Sequence, residues 1–234
     1  AGETPPPLPS ADPSLWSDTS GRAPSIDDYV LTSEMTGRLA VRCRREETTV
    51  HGALCAAVLG AAGPVHGDGP FRIMSSIDVR GLVGVGREDC GLFVNSGTVH
   101  FWNDRRNDFW EIARHATDEL EPSRSPEALI AAIGAYEIYL PVGAGPKEAT
   151  DLAAIATHSE AMVANLGMLP YGSDFGPLEM TAFWGPATLS RMTGEQSIGV
   201  VTLGGTLRMI HCSYEPIPNF LENIGRSLRE AAEG

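Results

Sequence analysis

The sequence predicts an α/β sandwich in which a mixed sheet is flanked by helices. Three observations carry this. Apolar residues at helical spacing run through "TTVHGALCAAVLGAAGP", the alternating run "FRIMSSIDVR" has the period of a half-buried strand, and "SIGVVTLGGTLRMIHCSY" reads as a hairpin turning at Gly204-Gly205. In chain order the patterns give a helix, two strands, two or three helices, four strands and a closing helix. Such an order requires mixed strand pairing.

Residues 1–28, "AGETPPPLPSADPSLWSDTSGRAPSIDD", are rich in Pro, Ser and Asp and read as an extended crossover or linker without regular structure. A chain that begins inside such a segment is expected to be cut from something longer, and 29–234 is expected to form the folded subdomain. Thr32 to Arg45 has the pattern of an amphipathic helix, with Met35, Leu39, Val41 and Cys43 as apolar positions. The helix after it places Val50, Ala53, Leu54, Ala57, Val58 and Ala61 on one stripe, with Thr49 as cap and Gly63-Pro64 as stop. In the first strand Phe71, Ile73, Ser75, Ile77 and Val79 share a face, and "GLFVNSGTVHFW" alternates less cleanly. "DFWEIARHATDEL" turns Phe109, Ile112, Ala116 and Leu120 inward, and "SPEALIAAIGAYEIY" is a helix capped by Ser125 with Pro126 in its first turn. "EAMVANLG" and "LEMTAFWGPATL" are strand candidates, and the last helix buries Phe220, Leu221, Ile224 and Leu228. Trp102, Phe109, Trp110 and Trp184 are expected in the core.

A formal charge of −13 and a pI near 4.8 disfavour nucleic acid and anionic membranes as partners. No run reaches the ~20 apolar residues of a membrane span, and no basic, then apolar, leader is visible. The expected setting is the cytoplasm. Cys43, Cys55, Cys90 and Cys212 stand far apart and read as free thiols rather than as a disulfide or zinc set.

The kinase reading is excluded, and the phosphate-loop and hydrolase readings lack their motifs. Asp174-Phe175-Gly176 has the letters of the kinase metal-binding triplet, but no HRD catalytic loop precedes it. "GLVGVGREDCG" lacks GxGxxG spacing, "VGAGPKE" lacks the Walker frame, and no GxSxG marks a hydrolase.

In order and spacing, "PPPLPSADPSLW", "CRREETTVHGALCAAVLGA", "SSIDVRGLV", "CGLFVNSGTVHF", "VANLGMLP" and "YGSDFGP" together resemble the C-terminal half of the chloramphenicol-acetyltransferase-like acyltransferases. That superfamily includes nonribosomal peptide condensation domains, plant BAHD acyltransferases, alcohol acetyltransferases and polyketide-associated acyltransferases. The resemblance spans nearly the whole chain. It implies two similar halves packed in a V around a tunnel. There an acyl group passes from coenzyme A, or from the phosphopantetheine of an acyl carrier protein, to an alcohol or amine. It also implies that the histidine of an HHxxxD motif on the first half is the general base. No HHxxxD occurs here, and His51, His66, His100, His115, His158 and His211 stand singly. The catalytic half is therefore expected on a partner segment, of the same or a separate chain, and this chain alone is expected to be inactive. No catalytic residue, metal or permanently bound cofactor is assigned. The alternative is a non-catalytic module that docks a carrier protein or partner subunit of a polyketide or peptide synthase.

By the same resemblance Asp78 and Arg80 hold a hinge near the active site, or else form a plain surface pair. Asp174 fixes its loop or is a turn aspartate. Asn165 faces the thioester, or satisfies backbone at a strand end, and Ala164 stands where the family has Ser. Asn95, Ser96 and Thr98 line the tunnel or mark a bulge beside Gly97. His100 and His211 read as ordinary surface or core histidines.

Overall fold

A computed structural model describes residues 11–62, 70–86, 88–102, 108–170 and 172–234. The first ten residues of the Pro-rich segment, the expected Gly63-Pro64 stop and His66 lie outside the described residues. A six-stranded mixed sheet has the order β1-β8-β7-β4-β2-β3, formed by Ser25–Leu31, Thr206–Ser213, Gln196–Leu203, Ala161–Met168, Phe71–Asp78 and Val94–Phe101. Pairing is parallel between β2 and β4 and between β4 and β7, and antiparallel elsewhere. Gly204 and Gly205, with φ of 56° and 78°, make the tight turn joining β7 to β8, where a side chain would strain the backbone.

Four helices cover one face: α1 (Ser33–Arg45), α2 (Val50–Ala62), α4 (Phe109–Leu120) and α7 (Phe220–Glu233). The first three start on side-chain caps. Thr32 Oγ1 accepts the Met35 N–H at 3.3 Å, Thr49 Oγ1 the Gly52 N–H at 3.0 Å, and Asp108 Oδ1 the Trp110 and Glu111 N–H groups at 2.8 and 3.0 Å. The sheet contributes Phe71, Ile73, Val99, Val163, Ile198 and Met209 to the shared core. A four-residue helix, α3 (Arg80–Val83), follows β2; α5 (Pro126–Tyr139) and α6 (Pro146–Thr157) lead into β4.

The structure departs from the sequence patterns in five places. Ser25–Leu31 is an edge strand, so the last residues of the Pro-rich segment are not linker; Asp27 and Asp28 are exposed while Tyr29 and Leu31 are buried. Helix α2 has no solvated face: every residue from Gly52 to Leu59 is buried, because the helix lies between the sheet, α4 and α7. "LEMTAFWGPATL" forms only the second strand of a two-residue hairpin, β5 (Asp174–Phe175) with β6 (Leu178–Glu179). From there to Arg191 the chain is an irregular strap. Trp102 and Trp184 are 58% and 41% exposed, and Phe109 and Trp110 lie at the core's rim. Val41 also faces outward.

Two packing details decide stability. At the α2–α4 crossing a Cβ on Gly52 would lie 2.4 Å from the Ala113 carbonyl oxygen and 2.5 Å from Thr117 Oγ1. Thr48 Oγ1 donates to that carbonyl at 2.8 Å. Glycine alone permits this approach, so Gly52→Ala is expected to cost about 1–3 kcal/mol, read as a lower denaturant midpoint. An unchanged midpoint would contradict the crossing.

In the first turn of α2, His51 Nε2 lies 2.8 Å from Ser75 Oγ, which is fully buried. Burial, with the Arg124 charge adding to it, pushes the His51 pKa down to about 4. An unfolded histidine titrates near 6.5, so the unfolded chain binds the extra proton first. The neutral ring's contribution is complete above about pH 6.5 and is lost as pH falls toward 4, by at most roughly 3 kcal/mol. Urea unfolding at several pH values should show this slope, and His51→Gln should flatten it. An equal slope in the variant would place its origin elsewhere.

Candidate functional site

Strands β2, β4 and β7 run parallel, so their carboxyl ends meet at one end of the sheet. In open α/β sheets ligands bind beyond the carboxyl ends of parallel strands, which makes this end the candidate here. Most of the residues singled out from sequence gather there. Asp78 closes β2 and Arg80 opens α3. Asn95 and Ser96 stand in β3 opposite Ile77 and Ser76, and Asn165 lies near the end of β4. Asp174 is in the β5–β6 hairpin that follows β4.

The bonds each residue makes define what it offers. Asp78 Oδ1 accepts from the Arg80 backbone N–H at 3.0 Å and lies 3.4 Å from its Nη1, a pair open to solvent. Such a pair is worth under ~1 kcal/mol; it orders the β2–α3 turn, while the Arg80 guanidinium sits 5.3 Å above the Phe93 ring. Asn165 Oδ1 accepts the Gly167 N–H at 2.8 Å, where the β4 register shifts. Asp174 Oδ1 does the same for Gly176 N–H at 2.9 Å.

Strand alternation separates Asn95 from Ser96. Asn95 shares the helix-side face with Ile77 and Val99, and its Nδ2 donates to the Ser123 carbonyl at 3.2 Å, holding the turn after α4. Ser96 and Thr98 take the opposite face, beside Ser76 and Met74. A Cβ on Gly97 would meet Leu120 and Ser123 at 2.8 Å, so this glycine admits the turn after α4 rather than marking a bulge. The register through β3 is unbroken.

The surface at this end is apolar. Met168, Phe175 and Leu178 are 74%, 55% and 72% exposed, and Leu82, Leu92 and Leu166 are exposed with them. No described histidine stands there. His100 pairs with Arg72 at the opposite end of β2, where its Nδ1 lies 3.0 Å from Glu119 Oε1. His115 Nε2 is 2.9 Å from the same carboxylate. His158, just before β4, lies against Arg72. His211 is buried; its Nε2 lies 2.9 Å from Gln196 Oε1, and burial lowers its pKa against the opposing pull of Asp27. Among the described residues no three His, Cys, Asp or Glu side chains form a metal-binding group.

Two charged devices went unnoticed in the sequence. Glu160 receives Arg72 through Nε at 3.1 Å and through its backbone N–H at 2.6 Å. Burial pushes the Glu160 carboxyl upward, but the hydrogen bonds and charge of Arg72 outweigh it and hold the group ionised. Glu195 accepts from the Ser190 and Met192 N–H groups, at 2.9 and 3.1 Å, and from the Ser190 hydroxyl, and so latches the strap. An acidic residue directly before an apolar strand is the signal both share: Glu160 precedes β4 and Glu195 precedes β7.

The fold recurs in solved structures of low sequence identity. The polyketide synthase associated protein 5 from Mycobacterium tuberculosis matches with a TM-score of 0.58 at 12% identity, over 91% of this chain and 53% of that one. The trichothecene 15-O-acetyltransferase from Fusarium sporotrichioides gives 0.60 at 12%, over 97% and 49%. The condensation domain from monacolin K polyketide synthase gives 0.59 at 14%, over 98% and 53%. The chain thus spans about half the length of each, as the half-fold resemblance implies. A search of curated protein sequences found no match. Residues 20–198 match the family described as the phthiocerol/phthiodiolone dimycocerosyl transferase C-terminus, and the chain belongs to that acyltransferase-related family.

Proposed function

We propose that this chain is the C-terminal half of an acyltransferase that moves an acyl group from coenzyme A or an acyl carrier protein to an alcohol or amine. One observation carries the reading: the carboxyl ends of β2, β4 and β7 open onto an exposed apolar surface, and no described histidine stands among them. A surface of that kind is expected to be covered in the working protein. The occupant that fits is an N-terminal half bearing HHxxxD, as the family membership and the half-length coverage support.

The chemistry divides between the halves. The partner's histidine takes the acceptor's proton, the freed lone pair attacks the thioester carbonyl, and collapse of the tetrahedral intermediate expels the thiolate, which takes up a proton. This chain forms one wall of the channel. Ser96, on the face away from the helices, offers a polar contact to the pantetheine arm; Asn165, on the helix-side face, shapes the end of β4 through its bond to the Gly167 N–H, and Asp78 and Arg80 order the turn after β2. Coenzyme A or phosphopantetheine enters as the donor's carrier. The free state of all four cysteines fits a reducing cytoplasm, and no helix among the described residues is long and apolar enough to cross a membrane.

Helix α5 fits the same reading. It has no buried residue, and Ile130, Ile133 and Tyr136 are exposed along it. The chain alone should bind an apolar dye such as ANS. Co-expression with an HHxxxD-bearing half should give a stable complex in which the dye signal falls severalfold. A dye-silent monomer that ignores such a half would favour the non-catalytic docking module instead.

A further inference from the structure

The six-stranded sheet ends in two edge strands, β1 and β3, and the sequence treats them differently. β1 carries Asp27 and Asp28, both exposed, at its middle. Charges so placed keep an edge strand from pairing with another chain. β3 has no such guard over its first five residues: Val94, Asn95, Ser96, Gly97 and Thr98 include neither a charge nor a proline.

The backbone of β3 shows which groups stay open. Arg72, the register partner of His100, turns its carbonyl toward β4, where it accepts the Glu160 N–H at 3.1 Å. Arg72, Met74 and Ser76 therefore face β4, and their partners His100, Thr98 and Ser96 point outward from the sheet. His100 is already capped from α4. Its N–H donates to Glu119 Oε2 at 3.2 Å, and its carbonyl lies 3.1 Å from His115 Nε2. Among the described residues none bonds the outward N–H and C=O groups of Val94, Ser96 or Thr98. Val94 and Ser96 are exposed.

This open run is its own complement. An antiparallel copy centred on Ser96 sets Val94 against the partner's Thr98 and Ser96 against the partner's Ser96. Each such pair exchanges both of its N–H···O bonds. Asn95 falls opposite the partner's Gly97, no paired residue is charged, and the capped His100 lies beyond the pairing. The same operation on β1 would set Asp28 against its own copy, and like charges directly opposite destabilise a sheet.

We propose that two copies of this chain associate through β3, continuing the sheet across a two-fold axis. The pairing uses backbone groups at the sheet's edge and does not depend on the acyltransferase reading.

Sedimentation of the intact chain over a wide range of concentration should show a shift from 24.9 kDa to twice that mass. Ser96→Glu and Ser96→Lys each set like charges opposite one another and should each weaken the dimer severalfold. The two variants mixed should recover it as a Glu–Lys pair. Ser96→Pro, tolerated on an edge strand, removes both central bonds and should weaken the dimer roughly tenfold or more. In the unsubstituted chain the Ser96 and Thr98 amides should exchange hydrogen more slowly as concentration rises, while those of Asp27 and Asp28 do not change. That readout stands even where a variant does not fold. A chain that stays monomeric, a dimer indifferent to these substitutions, or amide exchange independent of concentration would overturn the pairing.

Discussion

The burial of β7 on both faces is the constraint on which the rest depends. All eight residues of Gln196–Leu203 are buried. Ile198 and Val200 meet the helices, and the strap lies on the other face across Gly199. A strand so enclosed must satisfy its polar residues internally. Gln196 does so by accepting from the Ile217 N–H and by bonding the buried His211, Gly194 and Glu215. Removing one partner would leave a buried polar group exposed to the full desolvation cost. The network therefore fixes where β7 begins, and with it the register of β4 and β8.

Fixing β7 also fixes the site. Because β4 is parallel to β7 and β2 to β4, the depth of β7 sets where all three strands stop. Their ends present apolar side chains and short polar turns rather than a finished pocket. The interior is close-packed, with Phe71, Phe101 and Phe220 fully buried, whereas Met168, Leu178 and α5 remain unpacked. In the proposed reading those uncovered surfaces are where the second half packs.

Helices and the β7–β8 hairpin were legible in the sequence because their periods and turn glycines are local signals. The half-fold was legible through ordered motifs, and the family match supports it. Three features were not. β1 follows a Pro- and Asp-rich stretch, and its exposed Asp27 and Asp28 mask the Tyr29 and Leu31 alternation. Residues 180–191 carry the apolar content of a strand, yet Pro186 and the close passage over Gly199 leave no ladder for them to join. The open edge of β3 follows from its place at the end of the strand order, which no local pattern shows. Among the site candidates, the residues that the sequence motifs single out, Asp78, Arg80, Ser96 and Asn165, gather at one end of the sheet. The motifs could not show that Asn95 turns toward the helices, since that follows from the pairing of β3 with β2.

The most direct measurement is thiol release from an acyl-coenzyme A in the presence of an alcohol acceptor, with the chain alone and then with an HHxxxD-bearing half. The chain alone is predicted to release thiol at the background rate. Turnover should appear on adding the half and vanish when that motif's general-base histidine is replaced by alanine. Turnover by the chain alone that is lost on replacing His100, His115 or His158 would contradict the division of labour and place the base in this chain.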